Sequence, residues 1–596
     1  MSDQATFLTR IDGQVAGAPR HAAGGRLLLL DAAWRLGPRP VALRLADQVL
    51  RRCGLARMRL AAQPVPSGRF LPAKAPPAPE LPPGTHGAVL DAAAALPALP
   101  DWHGGFDPAA HALAITLHQR GGARPVWEAN RLAALPLLAQ AARLDPGGGH
   151  LARAEALVAL WCLSNPPFRG VAWACGQEAA FRALHLALAL ALLDADRDSP
   201  EGARALLGLC ARRIAATPLY ALAQDNNHPL SEAAGAYACA LLLGGDPGRP
   251  AAALAARLAR LVAPDGGFAQ VSPGYARALL DTLSVVEWLR RRHGAPAFPA
   301  PLAERAAALT AWLHRLVEPA TGSTPRLGLE DGAALADLSL AGRADSRASV
   351  ERAARLFAGC GADAPEDAGC AWLALMRPAR KLERPPRWQA AGSMGWAEAG
   401  AAAVLRTGPL RFRPGQCDLL HFSLRDGATW VIRDGGTGSY DPPSAWWWPA
   451  LGGAAGHDGP VFDGQEPMPR AGRFLLARWP RVAPLPDGAA LRDANGNAAA
   501  REVRVAGRCW TVEDRIAGPF RRVAWHWRLC PGPWRLAEGG AIGPAAAITV
   551  QADAPLRIRL AQGWESPAYG EIQPAALLLV EAEALVSHVT TRIRLP

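Results

Sequence analysis

Lysine is almost missing from this sequence: only Lys74 and Lys381 occur in 596 residues, so the formal charge of +12 is carried by arginine. There is no lysine-rich tail, no zinc-ligand spacing and no aromatic–basic RNA motif, which argues against a nucleic-acid partner. Arginine-rich surfaces suit carboxylates, sulfates and phosphates, because the guanidinium fork pairs with them bidentately. The ten cysteines form no CxxC pair. Cys162, Cys175, Cys210 and Cys239 sit in apolar helical stretches, where small buried thiols are the default, so a disulfide framework is not expected. The apolar run Leu27 to Leu30 is far too short to span a bilayer, and no membrane partner is expected. The opening MSDQATFLTRIDGQ is polar and lacks a basic-then-apolar leader, so the chain as written reads as cytoplasmic.

Half of the residues are hydrophobic, enough for a large core, and the length calls for more than one domain. Three regions separate by composition. Residues 1–100 are an N-terminal region ending in a Pro/Ala-rich stretch (64–100) that reads as an extended connector. Residues 101–385 carry serial helical periodicity, with candidates at 125–142, 150–163, 176–194, 201–215, 229–244, 250–263, 274–293, 302–316 and 347–358. Gly/Pro/Asp stops between them imply stacked antiparallel hairpins, as a bundle, a solenoid or a closed toroid. From 386 to 596 the period shortens to that of strands, with Asp426-Gly427 marking a hairpin, and an antiparallel β-sandwich is expected.

Tyrosine is scarce, with five in the chain, so the placement of Tyr275 just inside a helix start carries information. It follows a Ser-Pro break in DGGFAQVSPGYARALLDTL (265–283) and reads either as a half-buried helix residue or as a phenolic acid or base. The loop Asn226-Asn227-His228-Pro229 reads either as a helix cap or as an amide and imidazole aimed at a sugar carboxylate. Trp127, Asn130, Arg131, Asn165, Trp173, Glu178 and Arg182 place aromatic, amide and charged groups at helix ends, suited to a carbohydrate groove. For Glu178 and Arg182, four residues apart, a helix-surface ion pair is the competing reading.

These segments resemble the heparinase II/III-like polysaccharide lyases. The matching stretches occur in order: WEANR (127–131), NPPFRGVAW (165–173), NNHPLSEAAG (226–235), the Tyr275 segment, LEDG (329–332), GQCDLLHFSL (415–424), RDGGTGSYD (433–441), GHDGPVFDGQEPMPRAGRFL (456–475) and GWESPAYG (563–570). The resemblance implies an (α/α) toroid of helical hairpins followed by an antiparallel β-sandwich, a multidomain α+β chain. It implies cleavage of an acidic, uronate-containing polysaccharide by β-elimination. Asn227 would neutralise the uronate carboxylate, with His228 beside it, and Tyr275 would be the proton donor or acceptor at the scissile oxygen. Tyr440 and His457 would join the cleft. No cofactor is implied, although some relatives carry a structural divalent cation; no His/Asp cluster stands out in the sequence to hold one. The family also offers the periplasm or cell envelope as an address.

Two positions depart from the family pattern. Gln416 stands where a catalytic His is usual, two residues before Asp418, and Ala276 follows Tyr275 where another His is usual. Glutamine cannot exchange a proton near neutral pH. The competing expectation is therefore a glycan-binding or polysaccharide biosynthesis/export accessory protein that keeps the fold without elimination. A hydrolase would need two opposed carboxylates, for which Glu178, Glu232 and Glu330 are candidates. His421 reads as a packed strand histidine, and Trp446-Trp447-Trp448 as a plug between the two halves.

Overall fold

The computed structural model describes residues 25–118, 121–335 and 337–596; the polar opening segment read above lies outside them. Helices occupy the first part and antiparallel sheets the second, as the fold class anticipated. The helix Gly176–Leu192 is buried on every side, its Leu/Ala-rich final stretch, 186–192, wholly apolar. It packs against Ala134–Leu144, Glu201–Ala216 and Asn227–Leu242, and the last of these packs in turn on Gly248–Leu261 and Pro273–Arg292. Close approach is built in: a Cβ on Gly235 would lie 2.7 Å from the Ala180 Cα. The helix Pro273–Arg292 follows the local rules well. Ser272 caps it by accepting from the Tyr275 amide (3.1 Å), Pro273 opens it, and Arg290–Arg292 lie at its negative end.

Three elements depart from the sequence expectation: the 347–358 helix ends as a π-helical turn over Ala354–Ala358, and two others change more. The 125–142 helix is broken into Arg124–Ala129 and Ala134–Leu144, with Leu132 at φ 57° between them. The 64–100 connector contains a helix, Thr85–Ala94, whose Val89 and Ala93 are buried in the helical core. Tertiary burial overrides the Pro/Ala composition there.

The sheets are all antiparallel among the described residues. A five-stranded meander runs from Arg387–Ala390 to Thr429–Ile432. Its last turn is the expected Asp426-Gly427 hairpin, with Gly427 at φ 51°. An eight-stranded, a four-stranded and a small two-stranded sheet follow, and Leu405 and Phe422, Val512 and Ile593, and Trp525 and Trp527 from the three larger sheets share one core. Ala390 and Val404 of the meander belong instead to the helical core, so the two halves are packed together. The triple tryptophan is half-buried, but its ring contacts lie within the strand-rich half: Trp446 meets Trp564 at 5.1 Å and Arg470 covers Trp448. It does not plug the seam.

Candidate active site

Helix polarity organises the site. Gly176–Leu192, Asn227–Leu242 and Pro273–Arg292 all present their N-terminal turns to one cleft of about 730 Å³, lined from the opposite side by Gly415, Tyr440, Asp441 and Arg473 of the strand-rich half. Free backbone N–H groups and the helix dipole make such ends favourable to anions. Asn227 and His228 form the first turn of their helix, with Asn226 accepting from the His228 amide (3.0 Å). The Asn227 amide N–H donates to Gln270 Oε1 (3.0 Å), which holds the turn, while its carboxamide has no hydrogen bond among the described residues. Burial pushes the His228 imidazole down to about 4, against the opposing pull of Glu178, so it is neutral near pH 7.

Tyr275 reaches the same cleft from its own first turn and its hydroxyl bonds that of Tyr440, which arrives from the strand-rich half. Burial, reinforced by the nearby Asp331, pushes Tyr275 well above the ordinary phenol range. Burial and the neighbouring phenol do the same to Tyr440. Both are therefore protonated. Asp331 is held by Arg124 (Nε to Oδ2 2.9 Å), and Tyr569 donates neither to it nor to Tyr275 but accepts from the Tyr440 amide (3.1 Å).

Of the residues anticipated for the groove, Trp127, Arg131, Glu178 and Tyr440 line this cleft. Arg131 and Glu178, however, are spent on each other in a buried bidentate pair (2.7 and 2.8 Å). The Glu178–Arg182 ion pair weighed as the competing reading gives way to this one. Arg182 is fully buried between Trp161 and Trp173 and donates to the Asn130 and Ala172 carbonyls. Asn130, Asn165 and Trp173 are likewise buried: the Asn130 amide bridges the Trp102 carbonyl and Trp161 Nε1, and Trp173 donates to the Asn165 carbonyl. These four are corrected from groove residues to packing behind the wall.

Gln416 is also corrected. It is 1% exposed, its amide donates to the Gly436 carbonyl (3.0 Å), and it does not line the cleft. Gln416→Leu is therefore expected to leave the rate of any catalysed reaction unchanged while lowering stability by about 1–3 kcal/mol, since the Gly436 carbonyl loses its donor; turnover and thermal melting of the variant check this. The cleft also holds residues that the sequence reading did not nominate, among them Arg124, Arg413, His118 and, within the LEDG stretch, Asp331. Arg413 has no carboxylate within ion-pair distance among the described residues and donates only to Gln224 Oε1 (3.4 Å). His118 bonds Asp441 (3.2 Å). Nothing in the local sequence marks Arg124, Arg413 or His118; the seam brings them in.

His457 is buried away from the cleft. With His421 and Asp434 it forms a cluster whose ligand atoms lie within 4.8 Å of one another, all three side chains buried. Nδ1 of His457 is 3.0 Å from Asp434, and its Nε2 has no partner. Two imidazoles and one carboxylate fit a zinc-type divalent ion, so the donor set missed in the sequence is present. If such an ion binds there, a chelator should lower the melting temperature, by the equivalent of about 2.7 kcal/mol where free metal stood at about 100 times Kd, and His457→Ala should remove that sensitivity.

A family model described as heparinase II/III-like, C-terminal, matches residues 381–594. Among curated proteins none matches the chain. Among solved structures, heparinase III superposes with a TM-score of 0.60 at 11% identity, covering 92% of this chain and 91% of its own. A second heparinase III gives 0.56 at 14%, with 97% and 93% covered. A mutant heparan sulfate lyase HepC from Pedobacter heparinus gives 0.53 at 15%, with 85% and 87% covered. Residues 381–594 are thus similar to the heparinase II/III-like C-terminal domain, and over nearly its whole length the chain shares the fold of these lyases.

Proposed function

We propose that the protein is a polysaccharide lyase that cleaves an acidic, uronate-containing glycan by β-elimination. The observation that carries this reading is the meeting of Asn227, His228, Tyr275 and Tyr440 in one cleft at three helix N-termini, beside an arginine without a carboxylate partner. Asn227 and Arg413 bind the uronate carboxylate, and the helix ends stabilise the enolate-like charge that develops on it. Neutral His228 takes the C5 proton. The electron pair forms the C4–C5 double bond as the C4–O4 bond breaks, and protonated Tyr275 gives its proton to O4. Tyr440 holds the Tyr275 hydroxyl in place and returns a proton to it by exchange with solvent. Neither Gln416 nor His457 takes part. An ion held by His421, Asp434 and His457 would tie strands together and supply no step.

The hydrolase alternative has little support from the carboxylates. Glu178 is neutralised by Arg131. Burial pushes Glu232 up to about 8, outside the cleft, and Glu330 lines a separate cavity of about 360 Å³. A panel of uronate-bearing polysaccharides digested with the full chain and read by mass spectrometry tests the proposal. Elimination gives unsaturated ends lighter by one water than hydrolytic ends. Saturated ends would favour hydrolysis, and binding without new ends would favour the accessory-protein reading.

A further inference from the structure

More than half of the well-exposed large apolar side chains among the described residues lie between positions 27 and 58. They sit on the helices Gly25–Leu36, Pro38–Arg52 and Leu55–Arg59. Leu27, Leu30 and Trp34 recur at helical spacing on one face, with Trp34 85% and Leu27 71% exposed; Val49 (61%) and Met58 (71%) extend the apolar surface. The same stretch, 25–60, holds eight arginines against two aspartates and no other charged residue. Both aspartates are already neutralised, Asp31 by Arg35 and Asp47 by Arg44 and Arg51. Arg26, Arg52 and Arg57 are exposed and have no carboxylate partner among the described residues.

The inward side of these helices is anchored to both halves of the molecule. Arg35 donates to the Trp479 carbonyl (2.8 Å), Asp31 accepts from the Arg478 amide (2.5 Å), Arg39 pairs with Asp225 (3.1 Å), and Arg44 and Arg51 flank the Tyr220 ring. The outward face is thus held rigidly while its leucines and tryptophan meet water, an arrangement that marks an interaction surface.

We propose that this face docks the protein onto an anionic lipid surface, the side chains of Leu27, Leu30 and Trp34 entering the headgroup–acyl boundary and the free arginines meeting lipid phosphates. A polyanionic glycan would match the arginines but offers no apolar layer to cover the leucines and tryptophan. A second copy would cover them but would set like charge against like. A lipid interface satisfies both, and basic amphipathic helices with exposed tryptophan lie in that plane. The expectation from sequence that no membrane is involved rested on the lack of a spanning run. No described helix is long and apolar enough to cross, so this contact is with the surface only.

The test is co-sedimentation of the full chain with vesicles of phosphatidylcholine alone and of phosphatidylcholine mixed with phosphatidylglycerol. The expected result is binding to the mixed vesicles that weakens as salt rises. It should fall at least tenfold, to about the level of phosphatidylcholine alone, in the Leu30→Asp/Trp34→Asp variant, because apolar area and anionic attraction act together. Met376→Asp, at a side chain 88% exposed elsewhere, should bind as the parent does. If the double variant melts early, Arg26→Glu/Arg57→Glu makes the same test through charge. No binding, equal binding by parent and variants, or an oligomer dissolved by Trp34→Asp without any vesicle binding would each overturn the proposal, the last in favour of a second copy.

Discussion

Tyr275→Phe is expected to lower kcat for unsaturated product by about 10²–10⁴-fold, the usual worth of a positioned acid or base, with KM nearly unchanged. The ring stays, so the wall packing of this 8% exposed side chain is kept, and only the hydroxyl shared with Tyr440 is lost. Burial and Asp331 hold that phenol well above its ordinary range, so a basic limb from it should lie well above neutral pH. The acid limb follows from His228. A neutral base fails when it gains a proton, and burial has moved this imidazole from its ordinary 6.5 down to about 4. The pH profile of kcat/KM should therefore show no loss through 6.5 from this group, falling only toward 4. Full activity in Tyr275→Phe, read by ultraviolet absorbance of the unsaturated sugar, would remove the phenol from the mechanism.

Glu178→Ala is expected to destabilise the fold by about 3–5 kcal/mol, because it leaves the Arg131 guanidinium buried without its carboxylate. The pair is nearly buried in the cleft wall, with the two side chains 5% and 2% exposed, and no other acid pairs with Arg131 among the described residues. The double variant Arg131→Leu/Glu178→Leu should recover much of that loss, which separates an orphaned charge from the pair's net value. Burial alone would raise the Glu178 carboxyl, but Arg131 outweighs it and the group lies below the ordinary carboxylate range. Its contribution is thus fully present above the unfolded-state value and is lost as pH falls through the lower folded-state value. Urea melts of the two variants at neutral and acidic pH check both statements.

The fold was legible where residues answer to local rules. The Ser272 cap, the Asp426-Gly427 turn and the apolar stripe ending in Arg290–Arg292 are written in consecutive residues, and so are the helices and strands they bound. The helix starts that carry Asn227, His228 and Tyr275 could be read in the same way. Whether a polar residue beside them lines the cleft or ties its wall could not be. Arg131 and Arg182 look alike in sequence, yet one meets a carboxylate 47 positions away and the other two backbone carbonyls. Nor could the cluster of His421, Asp434 and His457 be read, since its members come from separate strand ends and loops. Long-range pairing decides such cases, and one chain read alone holds no register between distant segments.

The two bonded phenols stand 165 positions apart, one on the ring of helices and one on the slab of strands. Any swing that parts the slab from the ring to admit a long chain also separates those hydroxyls. For a chain that cleaves a glycan as proposed, loading and chemistry would then exclude one another in time: the jaws would open to take hold of the glycan and shut before cutting it. A cross-link across the seam would freeze the protein in its competent shape and starve it of anything too large to thread in.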